Sequence, residues 1–374
     1  MFAYHRRALL CPNLNPILRF KTLTLSSFIL IQPFSTSQNP SFTINYLIQN
    51  LQFSPQTASK LSTQINFTDS TKPDSVLALF KTYGFTNPQL SSLVKTYPKI
   101  LSFDPNKTIL PKLNFLLSKG ASNSDLVHIV AKNPLFLSQS LKNTMTPCYN
   151  FVNKFLFSDE LTMLSIKSCA AIIYSKYPAK NIKLLRQIGV PKSRIALTLR
   201  HWPCTVIGSP TIFEKAVKEV RELGFKPKTT FFIVALRAKV LPKSLWEEKV
   251  DLFKKWGWSE DVLVSAFLKY PWCMLASVDK IETVMKYFVN HMGWDSLVVA
   301  KNPILIMLSL EKRIIPRASV LQFLESRGLI KEGNTWISPF KATEKVFLER
   351  FVHCFEEESS QLLKLYKENR SIPT

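Results

Sequence analysis

The sequence predicts an all-α protein, an α-solenoid of about eight helix–turn–helix repeats. Three observations predict it. Seven of the nine glycines (Gly84, Gly120, Gly189, Gly224, Gly257, Gly293 and Gly328) fall in one register, most neighbours 33 to 36 residues apart. A proline keeps the same beat, fourteen residues after Gly84, Gly120, Gly189 and Gly257, at Pro98, Pro134, Pro203 and Pro271. Apolar residues between these marks follow helical spacing, as Val76, Leu77, Leu79 and Phe80 do. A period of this length signals units that bury their apolar faces by stacking on one another.

Taken in order, the first 68 residues contain no Asp or Glu but carry Arg6, Arg7, Arg19 and Lys21, with many Ser and Thr. This composition predicts an organelle transit peptide over residues 1–35, because an import potential draws basic, acid-free segments inward. The mitochondrion is the expected destination and the chloroplast the alternative. A secretory signal fits less well, because Thr22, Thr24, Ser26 and Ser27 interrupt the apolar stretch. Residues 36–72, rich in Ser, Thr, Asn, Gln and Pro, read as a flexible linker with one weak helix around Ile44–Leu51.

The repeats are expected over residues 73–330. In the first, Val76–Tyr83 forms a helix that Gly84 ends by adopting the left-handed conformation. Phe85 folds back on its last turn, Thr86 or Asn87 caps the next helix, and Pro88 suits that helix's first turn. Pro98 stops the second helix, and Ile100 and Leu101 turn inward. The same grammar recurs at Gly120–Asp125, Gly224–Phe225, Gly257–Asp261 and Gly293–Asp295. Inward pairs are expected at Phe136–Leu137, Ile172–Ile173, Met274–Leu275 and Leu305–Ile306. Two units are degenerate: Phe157 stands where Gly would and Ala170 where Pro would, and Ala238 follows Gly224 without a proline. The step from Gly293 to Pro303 is only ten residues, which predicts a shorter second helix. Residues 331–374 are expected to form a C-terminal helical cap whose Glu356, Glu357 and Glu358 face solvent.

The bulk numbers point to a polyanionic partner. The 374 residues are 46% hydrophobic, which supports a folded core, and carry 49 Lys+Arg against 26 Asp+Glu, a formal charge of +23. Loss of the first 40 residues would leave +19. Nucleic acid or an anionic membrane surface is the implied partner class, without membrane insertion, since no apolar run is long enough to span a bilayer. The six scattered cysteines form no CxxC pair and read as free thiols. HExxH, GxGxxG and P-loop motifs are absent, and the five histidines lack metal-ligand spacing. An enzyme, a cofactor, a metal and a small-molecule substrate are therefore not expected, and the chain reads as monomeric.

A basic residue sits shortly before each helix-ending site: Lys95, Lys132, Lys167, Arg200, Arg237, Lys269 and Lys301. Cations one repeat apart could track a phosphate backbone. The helix macrodipole favours the same placement without any ligand. Lys312, Arg313 and Arg317 form a further basic patch that reads equally as a ligand surface or a solvated helix face. Tyr97, Tyr177, Trp202 and Tyr270, next to the repeat prolines or their counterpart, are expected to pack between repeats rather than stack on bases.

The segments Tyr97-Pro98-Lys99-Ile100-Leu101, Asn133-Pro134-Leu135-Phe136-Leu137, Tyr270-Pro271-Trp272-Cys273-Met274-Leu275 and Asn302-Pro303-Ile304-Leu305 carry a resemblance. Together with the Gly-Phe and Gly-Trp steps, they resemble the mitochondrial transcription termination factor (mTERF) family, in its plant organelle form, over about residues 73–367. The resemblance implies a superhelix of paired helices with short 3₁₀ turns. It also implies binding of organelle nucleic acid, chiefly double-stranded DNA, with roles in transcription, its termination, or RNA processing such as intron splicing. Pentatricopeptide repeats share the period but do not end each second helix with proline and paired aliphatics. A protein-interaction scaffold remains the alternative from a different class.

Overall fold

The computed structural model describes residues 41–330 and 337–370. All regular structure among them is helical, as expected. The chain divides into two compact units, with the boundary along the sequence between Pro210 and Thr211.

The first unit, residues 41–210, contains α1 (Phe42–Leu51), α2 (Pro55–Ser62), α3 (Thr71–Thr82), α4 (Asn87–Thr96) and α5 (Leu110–Ser118). It continues with α6 (Asn123–Lys132), α7 (Thr146–Leu156), α8 (Asp159–Ser168), α9 (Pro178–Gln187) and α10 (Lys192–His201). From α3 onward they pair first helix with second helix. Second helices stack in series, α4 on α6, α6 on α8 and α8 on α10.

The second unit holds three further pairs: α11 (Pro210–Glu222) with α12 (Thr230–Lys239), α13 (Lys243–Lys255) with α14 (Glu260–Lys269), and α15 (Val278–Lys286) with α16 (Ser296–Lys301). Then come α17 (Ile315–Ser326), α18 (Ile337–Lys341), α19 (Glu344–Leu348) and α20 (Ser359–Arg370), with α20 packed on α17. The C-terminal segment is helical as expected but broken into short pieces, and Glu356 and Glu357 are exposed.

Local chemistry accounts for the punctuation. All seven register glycines have positive φ. At Gly84, φ is +92°, a conformation that costs an L-residue about 1–2 kcal/mol. The Phe85 amide then reaches back to the Phe80 carbonyl at 3.2 Å, and the two rings meet at 5.0 Å. Phe253 and Trp258 repeat the clasp around Gly257, stacked at 4.4 Å. Thr86 with Gln89, and Ser122 with Asp125, form capping boxes that satisfy the first amides of α4 and α6.

Proline then ends the second helices, and 3₁₀ turns follow at Pro98–Ser102, Pro134–Ser138, Pro203–Val206, Pro271–Leu275 and Pro303–Met307. Ala170–Ile173 makes the same turn without proline. The second and third positions after the proline point inward: Ile100 and Leu101, Phe136 and Leu137, Leu305 and Ile306 are fully buried. Each such side chain contributes roughly 2 kcal/mol by leaving water. In the Pro271 turn this register selects Cys273 and Met274, not the expected Met274–Leu275, and Leu275 is only half-buried. After α12, at the degenerate Ala238 unit, no 3₁₀ turn forms. The short Gly293–Pro303 step holds a six-residue α16, where the other second helices have ten.

The linker expectation needs correction. Residues 41–72 are not a flexible linker: α1 and α2 pack on each other, and α1 packs on α4. Ser41 and Ser54 cap them, Tyr46 donates to Asp74 at 2.6 Å, and Thr43 is buried against the Phe67 backbone. The polar composition supplies caps and exposed faces, while Tyr46, Leu47, Leu51, Ala58 and Leu61 supply a sufficient apolar stripe. The expected transit peptide lies outside the described residues.

Phe157 marks the unit that lacks a register glycine. The Gly is absent there but its backbone is not: Phe157 has φ +52° and is 85% exposed. A bulky residue in this region is strained and has no burial to offset the strain. Phe157→Gly should therefore raise stability by about 1 kcal/mol in denaturant unfolding.

Candidate nucleic-acid interface

The ten basic residues singled out by the repeat pattern separate by environment. Lys95 and Lys132 are exposed at the C-terminal ends of the stacked helices α4 and α6. Arg200, in the last turn of α10, is half-buried, and its enclosed Nε finds no acceptor among the described residues. Lys167 is half-buried and turns back onto α6 to form an ion pair with Asp125. Burial raises the Asp125 carboxyl, but bonds from Lys167 and Ser122 outweigh it and hold the group below the usual carboxylate range.

In the second unit, Lys269, Lys301 and Lys312 are exposed, the first two at the ends of α14 and α16, which pack on each other. Arg237 and Arg317 are corrections, because they lie in the interior at 4% and 2% exposure. Arg317 Nη1 donates to the carbonyls of Pro339 (2.6 Å), Phe340 (3.2 Å) and Ala342 (2.8 Å). Its guanidinium lies over the Phe347 ring at 4.7 Å. Burial, and then the neighbouring Arg313 charge, push it down to about 10. Arg313 is half-buried and also donates to the Ala342 carbonyl. This pair is engaged with the C-terminal segment rather than turned to a ligand.

The pattern had a buried counterpart that spacing did not reveal. Several first helices send a polar side chain to the carbonyl that closes the following 3₁₀ turn. Lys112 reaches Leu137, Lys249 reaches Met274 at 2.8 Å, Asn181 reaches Val206 at 2.9 Å, and Lys280 reaches Met307 at 3.1 Å. Lys112, Asn181 and Lys249 each stand eight residues before a register glycine, which is the signal that could have found them.

Burial pushes Lys249 down to about 8, with the Arg237 charge acting in the same direction. Below pH 8 its ammonium is protonated folded and unfolded, and the burial cost is fully present. Between about 8 and the ordinary lysine value near 10.4, the folded state releases its proton first and that cost fades. Stability of the wild type relative to Lys249→Met should therefore rise from pH 8 to pH 10, by roughly 1.4 kcal/mol per pH unit. Urea unfolding of both proteins across that range measures it.

Charge is divided unequally between the units. Residues 41–210 hold 19 Lys+Arg against 6 Asp+Glu, whereas residues 211–374 hold 26 against 20. Acids of the first unit also serve locally: Asp74 accepts from Tyr46, Asp104 from the Asn106 and Lys107 amides, and Asp159 from Tyr149 and Asn153. Asp125 and Asp159 also pair with Lys167 and Lys119, and with 19 cations against 6 acids the unit keeps a net charge of +13, a positive field suited to a polyanion.

The aromatic residues beside the prolines pack within the protein. Trp202 is buried, Tyr97 meets Phe103 at 6.0 Å, and Tyr270 stacks on Trp272 at 5.0 Å. No described helix is long and apolar enough to cross a membrane.

Comparison with known proteins agrees with this architecture. A mitochondrial protein of Arabidopsis thaliana named transcription termination factor MTERF15 is 20% identical over 380 residues, covering 78% of this chain and 85% of that protein. The mTERF family model matches residues 77–244 and 199–348, beginning on α3 and ending on α19. Those matches span well over half of the 374 residues and coincide with the phased helix pairs, so the chain belongs to the mTERF family.

Proposed function

We propose that this protein binds organelle nucleic acid, with double-stranded DNA as its ligand, and regulates transcription or its termination. The observation that carries the reading is the charge of residues 41–210, where 19 cations meet 6 acids. A field of this sign recruits a phosphate backbone at any sequence. Lys95, Lys132 and Arg200 are the contacts proposed in the first unit, and Lys269, Lys301 and Lys312 in the second. The name of the Arabidopsis relative supports a role in termination and a mitochondrial location. Residues 1–35 act in this reading as the transit peptide. The test is to crosslink the tagged protein in isolated mitochondria and sequence what it holds. Enrichment of organelle DNA supports the reading, while enrichment confined to intron-containing transcripts replaces it with an RNA-processing role. Absence of any nucleic acid, with activity kept when the proposed contacts are neutralised, favours a protein scaffold.

A further inference from the structure

The first helix α9 differs from its neighbours. Its buried side is Pro178, Asn181, Ile182 and Leu185, packed toward α10 and the 3₁₀ turn that follows. The opposite side exposes Lys180, Lys183 and Arg186, one helical turn apart, with Lys176 just before the helix. Exposed Lys192 stands across the Gly189 turn from Arg186. No Asp or Glu occurs anywhere from residue 161 to 213.

The first helices α5 and α7 carry a single cation each, Lys112 and Lys154, and α11 and α13 mix their charges. On α11, Lys218 pairs with Glu222, and on α13, Lys243 pairs with Glu247. Such pairs make an ordinary solvated face. On α9 the like charges three residues apart repel, which costs a few tenths of a kcal/mol per pair. Lys192 at the start of α10 also opposes the helix dipole, so local helix stability does not explain it.

We infer that the outward face of α9, with Lys192, is a second phosphodiester-binding surface that holds another nucleic-acid segment while the second-helix cations hold the first. The exposed residues favour nucleic acid over a membrane. Besides the cations, α9 exposes only Ala179 and Gln187, so no large apolar side chain is available to insert among lipid chains. Along the helix, Lys183 and Arg186 are about 4.5 Å apart in rise, close enough to engage neighbouring phosphates of one backbone.

This inference rests on the nucleic-acid reading above, and one experiment separates their failures. A biotinylated duplex on beads is saturated with the full chain and then challenged with a fluorescent duplex of the same sequence. Wild type should retain the second duplex. The variant K183Q/R186Q/K192Q should bind the bead duplex within about two-fold of wild type yet capture the second about 100-fold more weakly at ~0.15 M salt, since each phosphate contact contributes roughly five-fold there. Undiminished capture by the variant overturns the inference, as does wild type that holds the first duplex and no second. Stronger capture of phosphatidylserine vesicles than of the second duplex overturns it in favour of a membrane. Wild type that binds no duplex at all removes the nucleic-acid reading and this surface together. A variant with reduced bead binding but unchanged unfolding contradicts the separateness of the two surfaces.

Discussion

Replacing Arg317 with Ala should destabilise the protein by about 3–4 kcal/mol, the largest single-site effect expected outside the apolar core. The side chain is 2% exposed and gives the carbonyls of Pro339, Phe340 and Ala342 their charged donor. Truncation leaves those carbonyls enclosed without it, and it leaves a cavity beside Phe347. Lys can donate to one or two of the three from a single ammonium, so Arg317→Lys should recover part of the loss. Arg313→Ala, from a half-buried site, should cost about 1 kcal/mol. Denaturant unfolding measures the sizes, and limited proteolysis should find residues 337–370 cut first in the Ala variant. A cost below 1 kcal/mol for Arg317→Ala would show that the C-terminal helices are held by α17–α20 packing alone.

Arg317 also marks where sequence reading stops. The glycine and proline marks were legible because each answers a local demand: a left-handed residue at Gly84, a stop after α4 at Pro98. The same is true of the caps at Thr86, Ser122 and Ser259. Cations are not decided locally. Lys95 and Arg237 occupy similar places near the ends of second helices, yet one faces water and the other the interior. After α12 there is no proline turn, and that helix is buried on nearly every side from Phe232 to Ala238. A missing proline was visible, but its consequence for Arg237 depended on what packs around it. Lys112 and Lys249 are enclosed where the 3₁₀ carbonyls opposite them accept from their ammonium groups, an arrangement set by tertiary packing. The helix expected around Ile44–Leu51 is α1, but α2 was missed for a related reason: it needs only Ala58 and Leu61 buried, too few to register as a period.

Neutralising Lys95, Lys132 and Arg200 together should weaken duplex binding about 100-fold near ~0.15 M salt. Lys95 and Lys132 are exposed and lack the ion pair that occupies Lys167, and Arg200 is half-buried in the last turn of α10. Their removal should cost about 1–2 kcal/mol of stability, since each cation sits in the last turn of its helix and Arg200 is half-buried. Lys167→Gln, by contrast, breaks the pair with Asp125 and should change stability more than binding. A triple variant that folds but binds duplex as tightly as wild type would move the interface elsewhere, first to the α9 face.

The most direct measurement of the central claim is the affinity of the full chain for a duplex as a function of salt. With roughly six phosphates contacted, log Kd should rise with log salt at a slope of about 5 in magnitude, and the K95Q/K132Q/R200Q variant should lose about 3 of it. Affinity independent of salt, or a variant slope equal to that of wild type, would contradict a phosphate interface built on these residues.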